Sequence, residues 1–487
     1  MSLLAVAGTN SAVAGGYDIA NSLKIEGAPV DEELYQTLGT PTSTKIMTFS
    51  FWIKRTELAT GNDYLFATDQ QVSSPFNAFR IFFEGDTQFC VQNYSATVQN
   101  TRLVTPDYFR DTSAWYHFVV AIDTTQATAS NRIKLYINGV YKSSYVSGIE
   151  TQPGQNEDIY LESSRVLRVG AWKQDSGTLY RVGQKYLSEV HFVDGQQLAA
   201  SDFGEFDTDT GIWKPKAYTG SYGNNGFYLD FENSASLGAD GSGNGNNFTL
   251  SNITSVDQAT DTPTNNFATL NPLFRFDECT IFAGATRVKK TTTNRWRTFV
   301  SSIGVTSGKW YAEFQNPLHA TTGTDRFIGV APATNFNQSI AATGGYLGGN
   351  STETTDSIGY HGYTGNKFIN GTGSSFGNTY AGETVAIALD MDNGYVYFAK
   401  ANTWQNSGDP TSGATGTGGI ALQLPNDTHY LACSIYDTNA DFQGNFGGYT
   451  DFTIASAATD ANGYGVFEFA PPSGYYALCT KNLAEFG

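Results

Sequence analysis

The feature that most constrains the fold is an alternating run of apolar residues over 385–398. The apolar positions are Val385, Ile387, Leu389 and Met391, followed by Val396 and Phe398. A period of two places such side chains on one face of a strand, and the pair Asn393-Gly394 suits the two φ > 0 positions of a type I′ turn. The run therefore predicts a half-buried antiparallel hairpin.

Similar strand signals fill the first half of the chain, each of strand length and bounded by turn residues. They occupy residues 47–55, 64–69, 79–85, 114–123, 132–145, 165–172 and 186–198. The run 132–145 contains a second Asn-Gly pair, Asn138-Gly139. With 52 Gly, 28 Tyr and 33 Phe against 3 Met, the composition predicts short strands, many turns and almost no helix.

A chain of 487 residues is too long for one ordinary core. We expect an extended arm over 1–20, a sandwich over 20–235 and a second sandwich over 276–487. Residues 236–275 between them are rich in Gly, Asn, Ser and Thr with few large apolar residues. That composition predicts a connector without a core of its own.

Two family resemblances agree with this division. The order of FSFWIKR, WYHFVVAID, LYINGVY and LSEVHFVDGQQL resembles the laminin G type of concanavalin A-like sandwich, over about 20–235. In the second half, TSGKWYAEFQ, RFIGVAP, AGETVAIALDMDNGYVYFAKAN and PPSGYYALCTKNL resemble the strand order of a SPRY domain. The resemblances imply an all-β chain of two tandem antiparallel β-sandwiches, both concanavalin A-like jelly rolls, and a binding protein rather than an enzyme.

A more specific resemblance covers roughly residues 185–272. The phrases EVHFVDGQQL, FGEFDTDTGIWKPK, NGFYLDFENSASLGADGSGNGNNFTL and DTPTNNFATLNP are similar to those of large virion-associated proteins of tailed bacteriophages. This implies a structural protein of the tail or capsid surface, assembled with other virion subunits as a homo-oligomer and binding a host-surface glycan or protein. The alternatives are a capsid decoration or tail-assembly module without a ligand, and a polysaccharide depolymerase.

The net charge of the chain argues against nucleic acid and anionic membranes as partners. Its 28 basic and 46 acidic residues give a net charge of −18, which repels both a phosphate backbone and an anionic membrane. The N-terminal sequence has no basic region, and its apolar run over 3–7 is too short for a signal peptide or a membrane span. We therefore expect no nucleic acid, no membrane insertion, and synthesis in a cytoplasm.

Carboxylates are candidate catalytic groups because glucanases of this fold carry the pattern E-x-D-x-x-E on one strand and glycoside hydrolysis needs two opposed carboxyls. No predicted strand has that spacing. Acids between Glu205 and Asp209 come closest, but they lie between Gly204 and Gly211 in a predicted turn. Glu189 matches an acidic position common in laminin G sandwiches, which implies a structural role. We expect no catalytic residue.

Residues 240–245 have the beginning of a calcium-loop pattern. Asp240, Ser242 and Asn244 offer oxygen atoms at positions 1, 3 and 5, with Gly245 at position 6. Position 12 is Ser251 where a calcium loop has Glu, so a tight Gly/Asn turn is favoured and Ca²⁺ is the alternative. We expect no cofactor.

The four cysteines, Cys90, Cys279, Cys433 and Cys479, are widely spread and form no C-x-x-C pair. This spacing supports neither a zinc site nor a redox motif, and buried free thiols are expected.

The candidate ligand-binding residues are aromatic and lie in the second half. The stretch 341–380 is the longest Gly-rich connection between predicted strands, and recognition usually resides in such loops. Aromatic rings there suit stacking against sugars, although a chain with 14% aromatic residues must expose many of them by numbers alone. The candidates are Tyr346, Tyr360, His361, Tyr363 and Trp404.

Overall fold

The structure is a computed structural model that describes residues 16–487 except 28–29, 59–60, 70–76, 86, 97, 175–178, 181–182, 274–277, 293, 317–324, 336–344, 350–354 and 439. The chain divides into two compact units, the first ending at Thr264 and the second beginning at Asn265. Each unit has its own hydrophobic core.

The first unit is built from antiparallel strands in two main sheets. Its strands are β1 (Ser22–Ile25), β2 (Glu33–Thr37), β3 (Ile46–Arg55), β4 (Asp63–Thr68), β5 (Ala78–Glu84), β6 (Gln88–Ser95), β7 (Val98–Val104), β8 (Trp115–Asp123), β9 (Ile133–Ile137), β10 (Val140–Lys142), β11 (Val166–Val169), β12 (Trp172–Lys173), β13 (Leu179–Tyr180), β14 (Lys185–Asp194), β15 (Gly204–Phe206), β16 (Trp213–Pro215), β17 (Phe227–Leu229), β18 (Thr249–Ser251) and β19 (Gln258–Ala259). One sheet has the order β10-β9-β8-β3-β14-β1-β19, with β17 also paired to β14, and the other has the order β18-β2-β11-β4-β5-β6-β7. Two short pairs, β12-β13 and β15-β16, lie outside these sheets.

Aromatic side chains join the two sheets of the first unit. Phe49 and Phe51 on β3 point to the same face, and both contact Phe66 on β4 of the opposite sheet, with ring centroids 5.1 and 5.0 Å apart. Burying each phenylalanine contributes about 1.5–3 kcal/mol. The alternation read from the sequence therefore produces a sandwich core.

The hairpin predicted at Asn138-Gly139 is confirmed. Ile137 pairs with Val140, and the two turn residues have φ of 47° and 78°, as a two-residue type I′ turn requires.

The second unit is also a two-sheet structure. Its elements are β20 (Cys279–Phe282), β21 (Arg287–Lys290), β22 (Arg297–Val300), β23 (Lys309–Gln315), β24 (Arg326–Pro332), β25 (Ile358–His361), β26 (Asn366–Ile369), β27 (Thr372–Ser375), β28 (Val385–Asp390), β29 (Tyr395–Lys400), β30 (Thr403–Trp404), β31 (Ile420–Ala421), β32 (His429–Ile435), β33 (Asp441–Asn445), β34 (Tyr476–Ala477) and helix α1 (Thr480–Phe486). One sheet has the order β20-β21-β33-β23-β28-β29-β30, with β31 and β34 at its side, and the other has the order β22-β32-β24-β25-β26-β27. Helix α1 occupies part of 471–483, which resembled a SPRY strand segment.

The hairpin predicted over 385–398 is confirmed, but its turn is longer than expected. Asp390 pairs with Tyr395, so four residues connect the strands, and of these only Gly394 has a positive φ, 75°. The Asp390 carboxylate accepts the N–H of Asn393 at 3.0 Å, and Met391 is 6% exposed. The two-residue type I′ turn was a wrong prediction because this side-chain bond and the burial of Met391 favour a wider loop.

The structure differs from the predicted connector over 236–275. Strand β18 pairs with β2 and β19 pairs with β1, so residues up to Thr264 complete the first unit. Buried ion pairs fix this segment: Asp257 lies 2.7 Å from Lys24, and Asp261 lies 2.6 Å from Lys54. These polar contacts order a segment whose apolar content is low. Residues 274 and 275 lie outside the described residues.

Most of the predicted arm over 1–20 also lies outside the described residues. The part that is described packs on the first unit, since Ile19 is 6% exposed and its N–H donates to Thr264 Oγ1 at 3.0 Å.

The predicted fold class is confirmed: the chain is all-β and contains two tandem antiparallel sandwiches. Among the described residues, no helix is long and apolar enough to cross a membrane.

Candidate ligand-binding face

The outer face of one sheet in the second unit carries a continuous group of aromatic rings. We call it the aromatic face and define it by Trp296, Phe327, Tyr346, His361, Tyr363 and Phe368. Its centre is Phe327, which stacks on His361 and on Tyr346 with ring centroids 4.4 and 5.1 Å apart. Trp296 and Phe368 contact the same ring at 5.2 and 5.3 Å.

Strand alternation explains why these rings share a face. On β24, Ile328 and Val330 point into the core, while Phe327 points outward. Phe327 pairs directly with His361 on β25. Cross-strand pairs of rings stabilise a sheet by roughly 0.2–1 kcal/mol each.

A glycine makes room for the central ring. A Cβ atom at Gly359 would lie 2.8 Å from Phe327 Cδ1 and 2.4 Å from the carbonyl oxygen of Leu347. Only glycine allows this close approach without displacing its neighbours.

The segment that carries Tyr346 is tied down by hydrogen bonds on both sides of that residue. Thr298 Oγ1 donates to the carbonyl of Gly345 at 3.0 Å, and Ser434 Oγ accepts the N–H of Leu347 at 3.1 Å. The backbone on both sides of the half-buried Tyr346 is therefore held in place.

His361 is the polar group of the aromatic face. Its Nε2 lies 3.1 Å from Asp325 Oδ1, and its Nδ1 lies 2.9 Å from Thr364 Oγ1. Because a carboxylate can only accept, Nε2 carries the proton, and Nδ1 accepts from the threonine hydroxyl. Burial lowers the pKa of His361, and Asp325 opposes that shift. The neutral imidazole is thus held in a fixed orientation, and at 6% exposure it supports the rings around it.

Exposure differs strongly among the members of the aromatic face. Tyr363 is 46% exposed, whereas Phe327 is 2% exposed. Trp296, Tyr346 and Phe368 are half-buried. Tyr363 is therefore the ring most accessible to a ligand, and it contacts His361 edge to face at 6.2 Å.

Three of the five aromatic candidates from the sequence come together here: Tyr346, His361 and Tyr363. Tyr360 does not, because it belongs to β25 and points into the core, where it is 0% exposed. It was expected in a loop without a core to enter, and alternation along β25 places it opposite to His361. Trp404 lies on β30 and packs against a different cluster that includes Tyr397 and Tyr475.

The sequence reasoning missed Trp296, Phe327, Phe368 and Asp325. The segment RFIGVAP was recognised as a strand, but its apolar residues occupy both faces, so alternation could not separate Phe327 from the core. The stretch 341–380 contains β25, β26 and β27 rather than one long loop, and residues 341–344 and 350–354 lie outside the described residues.

Glu189, for which the sequence predicts a structural role, is buried, and its carboxylate is hydrogen-bonded. It lies at a bulge in β14 between Ser188 and His191, where its own φ is 49°. Its carboxylate accepts hydrogen bonds from the hydroxyls of Tyr17 and Tyr228 at 3.0 and 2.7 Å. A carboxylate held in this way fixes the N-terminal residues to the sheet.

Glu205 is exposed on β15 and lies 3.4 Å from Lys214. Asp207 lies 3.3 Å from the same ammonium group and accepts the N–H groups of Asp209 and Thr210. These acids therefore stabilise a turn.

The proposed calcium ligands form a hydrogen-bonded turn. Asp240 accepts the N–H groups of Tyr228, Ser242 and Asn246 and the hydroxyl of Ser242, all within 2.9 Å. Asn244 Nδ2 donates to the carbonyls of Gly223 and Gly226, so its amide nitrogen ties this turn to the segment 223–226. Within the described ranges, no group of three or more His, Cys, Asp or Glu residues is placed to hold a metal ion.

The prediction of unpaired thiols is confirmed, since none of the four cysteines forms a disulfide. Cys90, Cys433 and Cys479 are buried, and Cys279 is half-buried. Burial raises the pKa of all four thiols, that of Cys279 to about 11.

Comparison with known proteins supports the laminin G resemblance. The family model described as Concanavalin A-like lectin/glucanases superfamily (Laminin_G_3) matches residues 33–179, which confirms a domain of this kind in the first unit. No curated protein matches the chain.

Solved structures that are similar to the chain include the SPRY domain of human HERC1, at 16% identity over 35% of this chain and 96% of that one, with a TM-score of 0.27. They also include a heptameric SAP-like pentraxin from Limulus polyphemus, at 17% identity over 38% and 80%, and the TRIM65 PSpry domain, at 11% identity over 36% and 90%. Both have a TM-score of 0.27.

Proposed function

We propose that this chain is a non-enzymatic virion protein of a tailed bacteriophage, and that it binds a host-surface glycan or protein through the aromatic face. The observation that carries the binding proposal is the outward aromatic cluster, in which buried Phe327 supports the half-buried rings and exposed Tyr363. The phage assignment is supported by the sequence phrases over 185–272.

The chemistry of the aromatic face suits recognition. An aromatic ring presents a negative face to the C–H groups of a sugar or to an apolar side chain, while its rigidity keeps the entropy cost of binding low. The Asp325 carboxylate, whose side chain is 42% exposed and which is oriented by His361, adds a polar group beside the rings. A few polar groups among aromatic rings are typical of ligand sites.

Binding is favoured over depolymerisation by the state of the acidic residues. Glu189 accepts two tyrosine hydroxyls, and Glu205 and Asp207 share the Lys214 ammonium. Glycoside hydrolysis requires two carboxyls facing a substrate across roughly 5–9.5 Å. These acids instead stabilise the fold around them.

A Tyr363→Ala variant tests the proposal. Full-length protein and variant are applied to a glycan array and to host cells, and bound protein is quantified. Loss of one ring contact of about 0.5–1.5 kcal/mol predicts a two- to tenfold decrease in affinity. The matched control is Tyr108→Ala, which removes a tyrosine that is 58% exposed in the first unit.

Equal binding by Tyr363→Ala and wild type would refute the role of the aromatic face. Absence of binding to any glycan or cell, together with self-assembly of the purified chain, would favour the architectural alternative over adhesion.

A further inference from the structure

The first unit contains a pocket that the sequence did not point to. It lies between the β9-β10 hairpin, the turn at 200–202 and the short hairpin β15-β16, and its volume is about 350 Å³. Its lining includes Tyr136, Ser201, Glu205, Phe206, Trp213 and Lys216. Ligand pockets usually measure roughly 300–1,000 Å³, so this one is the size for a small group such as one or two sugar rings. We call it the Trp213 pocket.

Two glycines create the space for the Trp213 indole. A Cβ atom at Gly139 would lie 2.3 Å from the indole Cε3, and one at Gly204 would lie 2.4 Å from Cζ2. Gly139 also has a φ of 78°, which the type I′ turn requires. The indole is therefore packed against two backbone segments.

A buried histidine fixes the orientation of the same indole. Trp213 Nε1 donates to His117 Nδ1 at 3.0 Å, and His117 Nε2 lies 2.8 Å from Ser50 Oγ. Nδ1 is an acceptor, so Nε2 carries the proton of a neutral imidazole. Burial, with a smaller contribution from His191, lowers the pKa of His117 to about 3, which keeps it neutral at physiological pH. The pocket wall is thus pre-organised.

The accessible walls combine aromatic rings with polar groups. Phe206 is 50% exposed and meets Trp213 edge to face at 4.9 Å, and Tyr136 is half-buried on the other side. Ser201 and Lys216 are exposed at the rim. Rings with a few polar groups favour a saccharide over a purely apolar ligand.

The charged side chains at the rim of the Trp213 pocket indicate which kind of saccharide it would bind. Glu205 is paired with Lys214, which also contacts Asp207. Lys216 Nζ donates to the carbonyl of Ser201 at 3.1 Å, and it forms no ion pair with a carboxylate of the described part of the chain. Glu205 and Lys216 are the two charged residues of the lining, and the Glu205 carboxylate is already paired with Lys214. Lys216 is therefore the charged group that remains for an anionic group on a ligand.

From these observations we infer that the Trp213 pocket binds a sugar ring bearing a carboxylate, with the ring against Phe206 and Trp213 and the carboxylate at Lys216. This site is in the other unit from the aromatic face, so the inference goes beyond the proposed function and is independent of it.

The test is calorimetric titration of the full chain with a short oligomer of galacturonic acid and with a neutral galactose oligomer of the same length. We expect tighter binding of the acidic oligomer. Phe206→Ala should weaken binding of the acidic oligomer, and Lys216→Gln should weaken it by about two- to fivefold, while Lys216→Arg retains it. Tyr108→Ala is the control and should bind as wild type does.

Phe206 and Lys216 are both exposed, so unchanged thermal midpoints should accompany these variants. The inference is overturned if neither oligomer binds, if the neutral oligomer binds as tightly as the acidic one, or if Phe206→Ala and Lys216→Gln leave the affinity unchanged.

Discussion

Replacing Tyr360 with alanine should strongly destabilise the second unit, although its neighbours in sequence belong to the aromatic face. The Tyr360 ring is 0% exposed and lies 5.4, 5.1 and 5.5 Å from the rings of Phe376, Tyr380 and Phe398. Removing a large buried ring costs about 3–5 kcal/mol. For a unit of this size, each 1 kcal/mol lowers the unfolding midpoint by roughly 2–4 °C, so a decrease of about 6–20 °C follows.

Two further variants separate the effect of the Tyr360 hydroxyl from that of its ring, and the effect of a buried ring from that of an exposed one. Tyr360→Phe keeps the ring but removes the hydroxyl that donates to the carbonyl of Asn378, which should cost about 1 kcal/mol. Tyr363→Ala changes an exposed ring and should alter stability by less than about 0.5 kcal/mol. Scanning calorimetry of the full chain measures all three, and the transition of the first unit should not move. A Tyr360→Ala midpoint within 2 °C of wild type, roughly what 1 kcal/mol produces, would refute the placement of Tyr360 in the core.

Other predictions concern buried polar groups and the pocket wall. Burial raises the pKa of Glu313 from 4.5 to about 7, so its stabilising contribution is complete below about pH 4.5 and is lost as the pH rises through 7. The midpoint of the second unit, measured from pH 4 to 8, should show this loss in wild type and not in Glu313→Gln. Asp261→Ala should cost about 3–5 kcal/mol in denaturant unfolding, because Lys54 and Asp261 side chains are 0% and 1% exposed, whereas a loose connector would give almost no change. Gly204→Ala should displace Trp213 and weaken ligand binding at its pocket, with an altered tryptophan fluorescence spectrum as the readout, and an unchanged spectrum would contradict the packing.

Strand positions were predictable wherever one face of a strand is polar. In 132–145, Ile133, Leu135 and Ile137 alternate with polar residues, and the core side follows directly from the sequence. On β24 and β25 both faces carry large side chains, so a period of two gives the strand without telling which face is inside. Tyr360 and His361 were therefore grouped, whereas adjacent residues of a strand point to opposite faces.

The fixed structure of residues 236–264 could not be predicted from apolar content, because polar groups supply most of the contacts that hold this segment. Asn246 Nδ2 donates to the carbonyls of Asn224 and Gly226, and Asp257 and Asp261 reach buried lysines far away in sequence. Such bonds depend on partners that only the folded chain brings close. Composition alone therefore describes this segment as a flexible connector.

The Trp213 pocket could not be predicted either, because only the folded chain brings its residues together. Its residues come from three separate segments, around 136–139, 199–206 and 213–216. Within each segment the sequence shows only turn residues and single aromatic rings. The signal that could have found it is the pair Gly139 and Gly204, but their shared contact with one indole is visible only in three dimensions.

The two proposed binding sites need little affinity each if they act on one chain together. The aromatic face and the Trp213 pocket each offer a few rings and one or two polar groups, which suits weak binding. When one glycan polymer or one cell surface engages both sites, the second contact forms at an effective concentration that can reach the millimolar range, and avidity can exceed either single affinity by about 10²–10⁴. A variant at one site should then reduce adhesion of a multivalent assembly by a larger factor than it reduces monovalent binding in solution. Equal losses in the two assays would mean that the sites do not act together.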